Sequence, residues 1–343
     1  MDNHALRDHG AFTIDFPNRT QKPRYFLGGQ DRLATMTDVC LLSEHRMIAV
    51  HLCGAAMFLL VRADKAAPWR IIDQIDTTFG EQLTIVDLID VGAQGLIVAS
   101  NFDACSGGLY RVVGNKLSHV RDLPLPTGAG NCHGARFVTE AMVCLSTNRH
   151  KLFFRDIDTD HIHSELAFPY HVKDLVFTDP THALVACALG NPTPAIANAY
   201  ASCIAWVEFD AGYQRFRVRD KRFLKPAAFD AIALAPDTNR FFITDQHLDR
   251  VIAGSLTDNK IRLDGQWSGF SFIHGVDYLE GTIAITTYGA HTIEHFDARS
   301  PLQPLKGYSG RLRPPAIQQR LHLAGNVARY YAGRIKARLP GLS

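Results

Sequence analysis

One pattern recurs six times along this chain and limits what it can fold into. A short polar or Gly/Asp anchor leads into an apolar strand, a turn, a second apolar strand, a polar loop and a third apolar strand. The copies begin at Thr37-Asp38, Val86-Asp87, His133-Gly134, Lys173-Asp174, Phe229-Asp230 and His274-Gly275. In the third copy the strands read ARFV, MVCLST and KLFFRD; in the fifth, AIAL, RFFITD and RVIAGSL. Val, Ile, Leu, Phe and Thr dominate these runs and turn residues separate them, which is the strand signal. Further strand-like stretches sit between copies at 69, 117, 214 and 261 (WRIIDQI, LSHVRDL, QRFRVRD, IRLDGQW). The anchors lie 40 to 56 residues apart, about the length of one four-stranded propeller blade. An α/β arrangement would need amphipathic helices between the strands, and the sequence up to residue 305 offers almost none. The expected fold is all-β: a six-bladed β-propeller of about four-stranded blades over residues 1–305. A strand from AFTIDF (residues 11–16) is expected to complete the last blade, hiding the open edges.

Residues 306–343 form a different unit. From Lys306 onward there are eight basic residues and no acidic one, which leaves 28 basic against 34 acidic residues in the body. Pro315 suits a first helical position and Pro340 stops a helix. Between them Ile317, Leu321, Ala324, Ala328, Tyr331, Ile335 and Leu339 follow three- and four-residue spacing, so a basic amphipathic C-terminal helix is expected over 315–339. It has three readings: packing on its own acidic propeller, docking a partner or second copy as a homodimer, or lying on an anionic membrane surface. A mildly acidic body argues against nucleic acid as a partner. No apolar run approaches the length of a transmembrane segment. Neither a secretory leader nor a C-x-x-C pair is visible among the seven scattered cysteines, so a cytoplasmic location is expected.

With the repeats laid out, the chain resembles the six-bladed propellers of the NHL, gluconolactonase, paraoxonase and strictosidine-synthase-like group. The resemblance rests on repeat count, repeat length and the His-Gly anchors at 133 and 274. The WD40 class is set aside because no Trp-Asp dipeptide ends the repeats. The resemblance implies that the innermost strands start at the mouth of a central tunnel, with the loops between second and third strands on the same face. It would gather Thr37, Val86, His133, Lys173, Phe229 and His274, together with loop residues Asn101, Asp103, Asn148, Asn191, Asp245, His247 and Tyr288 as substrate-binding candidates. Calcium enzymes of that group use Glu, Asn and Asp at the mouth. Lys173 and Phe229 do not suit such an ion, so no cofactor is expected, although a divalent metal on His133, His274 and Asp245 would have a two-His–one-carboxylate set.

His133 and His274 head blades that lie opposite each other in a ring of six. Imidazole titrates near neutrality and serves as acid or base, and Lys173 suits an oxyanion or carboxylate. The expected catalytic set is therefore His133, His274 and Lys173. The other reading gives the His-Gly anchors a structural role, with glycine permitting close strand approach. Gly128 to Gly134 mimics a phosphate loop, but a strand follows it where a helix is required, so it reads as a plain loop. Cys105 and Cys132 are candidate nucleophiles in polar loops, and residues 190–202 form an insertion expected to overhang the mouth. Two functions follow. One is an enzyme acting on a small polar substrate at the tunnel mouth by His-based acid/base catalysis, of hydrolase (lactonase-like), lyase, isomerase or synthase type in specialised metabolism. The alternative is a non-catalytic scaffold binding a protein partner, with the basic tail as anchor.

Overall fold

A computed structural model describes residues 11–13, 36–51, 56–65, 67–76, 83–91, 94–101, 105–189, 201–270, 273–287, 292–306 and 308–310. Their strands, numbered in chain order, form six separate antiparallel sheets. Blade 1 is β2 (Met36–Ser43), β3 (Arg46–His51), β4 (Ala56–Val61) and β5 (Arg70–Asp76). Blade 2 is β6 (Leu83–Val91), β7 (Gln94–Asn101), β8 (Ser106–Val113) and β9 (Lys116–Pro124). Blade 3 is β10 (Cys132–Thr139), β11 (Met142–Thr147), β12 (Lys151–Asp156) and β13 (Ile162–Ala167). Blade 4 is β14 (His171–Asp179), β15 (His182–Ala188), β16 (Ser202–Phe209) and β17 (Phe216–Lys225). Blade 5 is β18 (Phe229–Ala235), β19 (Arg240–Asp245), β20 (Arg250–Thr257) and β21 (Lys260–Ser268). Blade 6 is β22 (Ile273–Leu279), β23 (Thr282–Thr287) and β24 (Thr292–Asp297), completed by β1 (Ala11–Thr13), which pairs antiparallel with β24. The first strands β2, β6, β10, β14, β18 and β22 touch in that order and close the ring. The all-β six-bladed propeller read from the sequence is the fold.

The apolar runs look continuous because the inner strands of each blade are buried on both faces, whereas the outer strands β9, β13 and β17 alternate. The buried apolar residues described fall into six clusters, one between each pair of adjacent blades. Alternate residues of a strand serve opposite clusters, as the two-residue period requires. On β19, Phe241 packs toward blade 4 and Phe242 toward blade 6. On β3, Met47 faces blade 6 and Ile48 faces blade 2. Burying one such side chain contributes about 1.5–3 kcal/mol.

Near the tunnel the blades meet through polar atoms. Ser146 Oγ accepts a bond from Gly134 N in its own blade (2.9 Å) and donates to Val172 O in blade 4 (3.4 Å). Thr286 Oγ1 does the same between Gly275 N (2.7 Å) and Thr37 O of blade 1 (3.0 Å). Thr244 Oγ1 links Ala231 N to His274 O, and Ser100 Oγ donates to His133 O. Carboxylates add a second stitch: Asp87 accepts Phe137 N, Asp174 accepts Ile232 N and Asp277 accepts Leu41 N, each from one blade to the next.

The end of the chain is arranged in a way the sequence did not reveal. The chain after β24 crosses blade 5 as a strap. Gln303 and Gln266 exchange backbone bonds (3.0 and 2.8 Å), and the fully buried Arg250 donates to Lys306 O (2.5 Å). The strap then delivers β25 (Tyr308–Gly310) to the outer edge of blade 4 as a fifth strand. The helix expected over 315–339 lies outside the described residues.

Gly275 sits where blades 6 and 1 meet. A Cβ there would lie 2.2 Å from Asp38 Oδ1 and 2.5 Å from Asp38 Cα, whereas one on Gly212 would meet nothing closer than 3.7 Å. Gly275→Ala is therefore expected to cost about 1–3 kcal/mol or more in urea unfolding, and Gly212→Ala less than about 0.5 kcal/mol.

Candidate functional site in the tunnel

All six inner strands slip register at the same end. The slips fall between Met36 and Asp38, Leu83 and Val86, Cys132 and Ala135, Val172 and Asp174, Phe229 and Ile232, and Ile273 and Val276. Such bulges re-aim side chains. They also fix which residues are equivalent. Cys132 pairs with Thr147, Phe229 with Asp245 and Ile273 with Thr287. The blade 5 counterpart of His133 is thus Asp230 and not Phe229. In blade 2 Leu83 pairs with Asn101, which moves the position from Val86 to Thr84. Phe229 packs in the apolar cluster between blades 4 and 5.

Four consecutive blades bring His133, Lys173, Asp230 and His274 together. His274 Nε2 lies 2.7 Å from Asp230 Oδ2, and Lys173 Nζ lies 3.6 Å from Asp230 Oδ1. His133 Nδ1 donates to Lys173 O (2.8 Å), which leaves Nε2 as the acceptor of a neutral ring, and Lys173 Nζ donates to it at 3.2 Å. His133 Nε2 is 3.7 Å from Asp230 Oδ1, too long for a hydrogen bond. His133 and His274 both reach Asp230 from opposite blades, so both face the tunnel. The structural reading of the anchors holds as well. A Cβ on Gly134 would be 2.8 Å from Ser146 Oγ and 3.1 Å from Lys173 O.

His133 (4% exposed), His274 (5%) and Asp230 (1%) are buried, while Lys173 is half-buried. Burial, then the Lys173 charge, pushes His133 down to about 3. Burial works to raise Asp230, but His274, Lys173 and His133 hold it well below the usual carboxylate range. Next to His133 stands His171, at 8% exposure, its ring edge-on to His133 with centroids 5.9 Å apart. The exposed His150 stacks on His171 at 6.1 Å. Burial and then Lys173 hold His171 well below the normal imidazole value.

A second charged group lies further along β10. Arg136 bonds Asp174 through Nε (3.0 Å) and Nη2 (2.5 Å), and donates to Ile232 O (3.2 Å). Its Nη1 lies 3.6 Å from Asp87 Oδ1. Burial opposes its charge, yet Asp174 and Asp87 hold it protonated more firmly than usual.

The structure assigns other contacts to two of the described loop candidates, Asp245 and Asn148. Asp245, expected to bind substrate, is fully buried and engaged by Arg250 Nε (2.7 Å), Ala228 N (2.8 Å) and His247 N (3.0 Å). That corrects its role to a structural one and splits the conditional metal set of His133, His274 and Asp245. Among the described residues no group of His, Cys, Asp or Glu is arranged to hold a metal ion. Asn148 Oδ1 accepts Asn131 N (3.0 Å), pinning the loop before β10. Asn101 is buried at the end of β7, and His247 is half-buried in the turn after β19. Asp103, Asn191 and Tyr288 lie outside the described residues, as does most of the 190–202 insertion. Cys132 is buried and desolvation drives its thiol far up, which removes it as a nucleophile. Gly128 and Gly130 take positive φ (82° and 93°) in a loop that runs directly into β10, as expected of a plain loop.

No family model and no curated protein matches the chain. Solved structures do. The WD40 β-propeller domain of Doa1 is 13% identical, with a TM-score of 0.53 over 79% of this chain and 95% of that one. The β-propeller domain of Cps50 (Swd1) from Myceliophteria thermophila is 10% identical, with a TM-score of 0.53 over 79% of this chain and 85% of that one. U3-55K is 7% identical, with a TM-score of 0.54 over 81% of this chain and 98% of that one. At these identities the likeness shows the propeller fold alone. These neighbours carry the propeller and not the gluconolactonase-like group, and the first is of the WD40 class that the missing Trp-Asp dipeptides had set aside.

His133 and His171 are less basic in the folded chain than the ordinary imidazole at 6.5. The unfolded chain therefore takes up protons first as pH falls, and stability declines below about pH 6.5. Asp277, raised by burial to about 6, opposes this between roughly pH 6 and pH 4. Urea midpoints are expected to fall from pH 7.5 to pH 5 in wild type. His133→Gln should flatten that slope by roughly 2 kcal/mol over the 1.5 pH units below pH 6.5.

Proposed function

We propose that this protein is a non-catalytic binding propeller that presents its faces and rim to a protein partner. The observation that carries this reading is that the tunnel's acid–base groups are occupied by one another. An acid–base catalyst needs a reachable atom and a proton affinity near working pH. His133 has its lone pair on Lys173, its proton on a backbone carbonyl and a basicity pushed down to about 3. His274 and Lys173 are both held at Asp230. A largely buried, self-paired cluster of this kind serves the ring, because the inner strands of four blades converge on it. Fold alone does not separate scaffold from enzyme. The catalytic reading keeps one support, the gathering of two imidazoles, an ammonium and a carboxylate from four blades. The partner surface is expected to be acidic, because the basic tail continues from β25 at the rim of blade 4 and opposite charge steers association.

Cross-linking in the native cell, read by mass spectrometry, tests this. The same partner should be recovered with wild type and with Lys173→Met. Recovery should fall about tenfold when Arg329, Arg334, Lys336 and Arg338 are changed together to Gln, since each lost charge weakens a steered contact. Turnover of a small molecule by wild type that Lys173→Met abolishes would overturn the reading.

A further inference from the structure

The tunnel mouth on the His150 side carries a donor that the described residues do not satisfy. Lys173 has three N–H donors; one reaches His133 Nε2 (3.2 Å), and Asp230 Oδ1 at 3.6 Å is an ion-pair contact beyond hydrogen-bond length. His171 is more than nine-tenths buried and its Nε2 has no hydrogen-bond partner among the described residues. Such an orphan is costly unless something pairs with it. His150 stacks on the same ring from the exposed side, which makes a line of imidazoles from solvent to the cluster. The carboxylate facing this group is Asp230, and it is already engaged by His274 at 2.7 Å. An ammonium in the middle of the set repels a metal cation and attracts an anion.

We infer that the mouth formed by His150, His171 and Lys173 binds a small oxyanion, either a carboxylate or a phosphate group. Its oxygens accept from a remaining Lys173 donor and from the imidazoles, which gives His171 Nε2 an acceptor. The groups facing His171 are Lys173, His133, His150 and Asp230. Both imidazoles of the mouth are less basic than usual before the ligand arrives, mainly through burial. An entering anion favours their charged forms, so binding takes up protons and tightens as pH falls. The inference stands apart from the partner-binding reading, because a ligand here needs no turnover and no second protein.

Titration calorimetry of the full chain with sodium phosphate and, separately, sodium acetate tests it. Both titrations are run at constant ionic strength, at pH 7.5 and pH 6, in two buffers of different ionisation enthalpy. Saturable one-site binding by one of the anions is expected, at least threefold tighter at pH 6, with net proton uptake. Phosphate alone assigns a phosphoryl ligand, and acetate alone assigns a carboxylate. His171→Phe should weaken the site at least tenfold. The exposed His150→Ala, which leaves the core untouched, should weaken it at least threefold with an unchanged Tm. No saturable heat from either anion, or wild-type affinity in both variants, would sink the proposal.

Discussion

The ring depends on how closely the inner strands of neighbouring blades approach one another near the tunnel. At that distance backbone N–H and C=O groups leave their own ladders and must be paired otherwise. A hydroxyl solves the problem because it accepts from one blade and donates to the next. Ser100, Ser146, Thr244 and Thr286 occupy this position. Val50 and Ala186 stand there in blades 1 and 4, one residue before the His51 and Cys187 that pair with Met36 and Val172. Those two blades have the shorter register slips and carry Asp38 and Asp174 beside the bulge. The width of each bulge follows from whether a hydroxyl is available to take the displaced N–H.

The charges in the tunnel have the same logic one step further in. A buried ion pair seldom adds much stability over a packed apolar pair, but removing one partner is strongly destabilising. His133, Lys173, Asp230 and His274 come from four different blades, and Arg136 engages blades 4 and 5 while facing blade 2. Each group is satisfied only when the ring is assembled. The apolar clusters between blades give the bulk of the stability, and the polar centre selects the one closed arrangement in which no charge is stranded.

Blade number, strand order and the closing strand were legible because apolar runs and turns repeat. The glycine at each His-Gly anchor was legible as a close approach. Asp230 was in plain view as an anchor residue, yet it was aligned with Gly134 when the register aligns it with His133. A two-residue period cannot reveal this, because a bulge breaks the period where the functional side chains sit. The hydroxyl one residue before the end of four of the second strands, in ASN, LST, ITD and ITT, is the signal that would have set the phase. His171 had a signal too, two residues before Lys173 and so on the same strand face. Arg136 had none, since its importance lies in carboxylates from other blades. Asp245 misled because a loop carboxylate near the mouth looks like a ligand-binding group, and only the contact with Arg250, five residues on, gives it a structural role.

The closing strand β1 and its partner β24 are about 280 residues apart in sequence, while the strap carries the chain's later residues back to blade 4. During synthesis the first strand leaves the ribosome long before the edge it must cover exists. Translation at 5–20 residues per second leaves that segment waiting for roughly fifteen seconds to a minute. Contacts of such long range are slow to form and expose strand edges meanwhile. The nascent propeller is thus an open stack of blades for most of its synthesis, with its last edge unpaired until the final blade emerges.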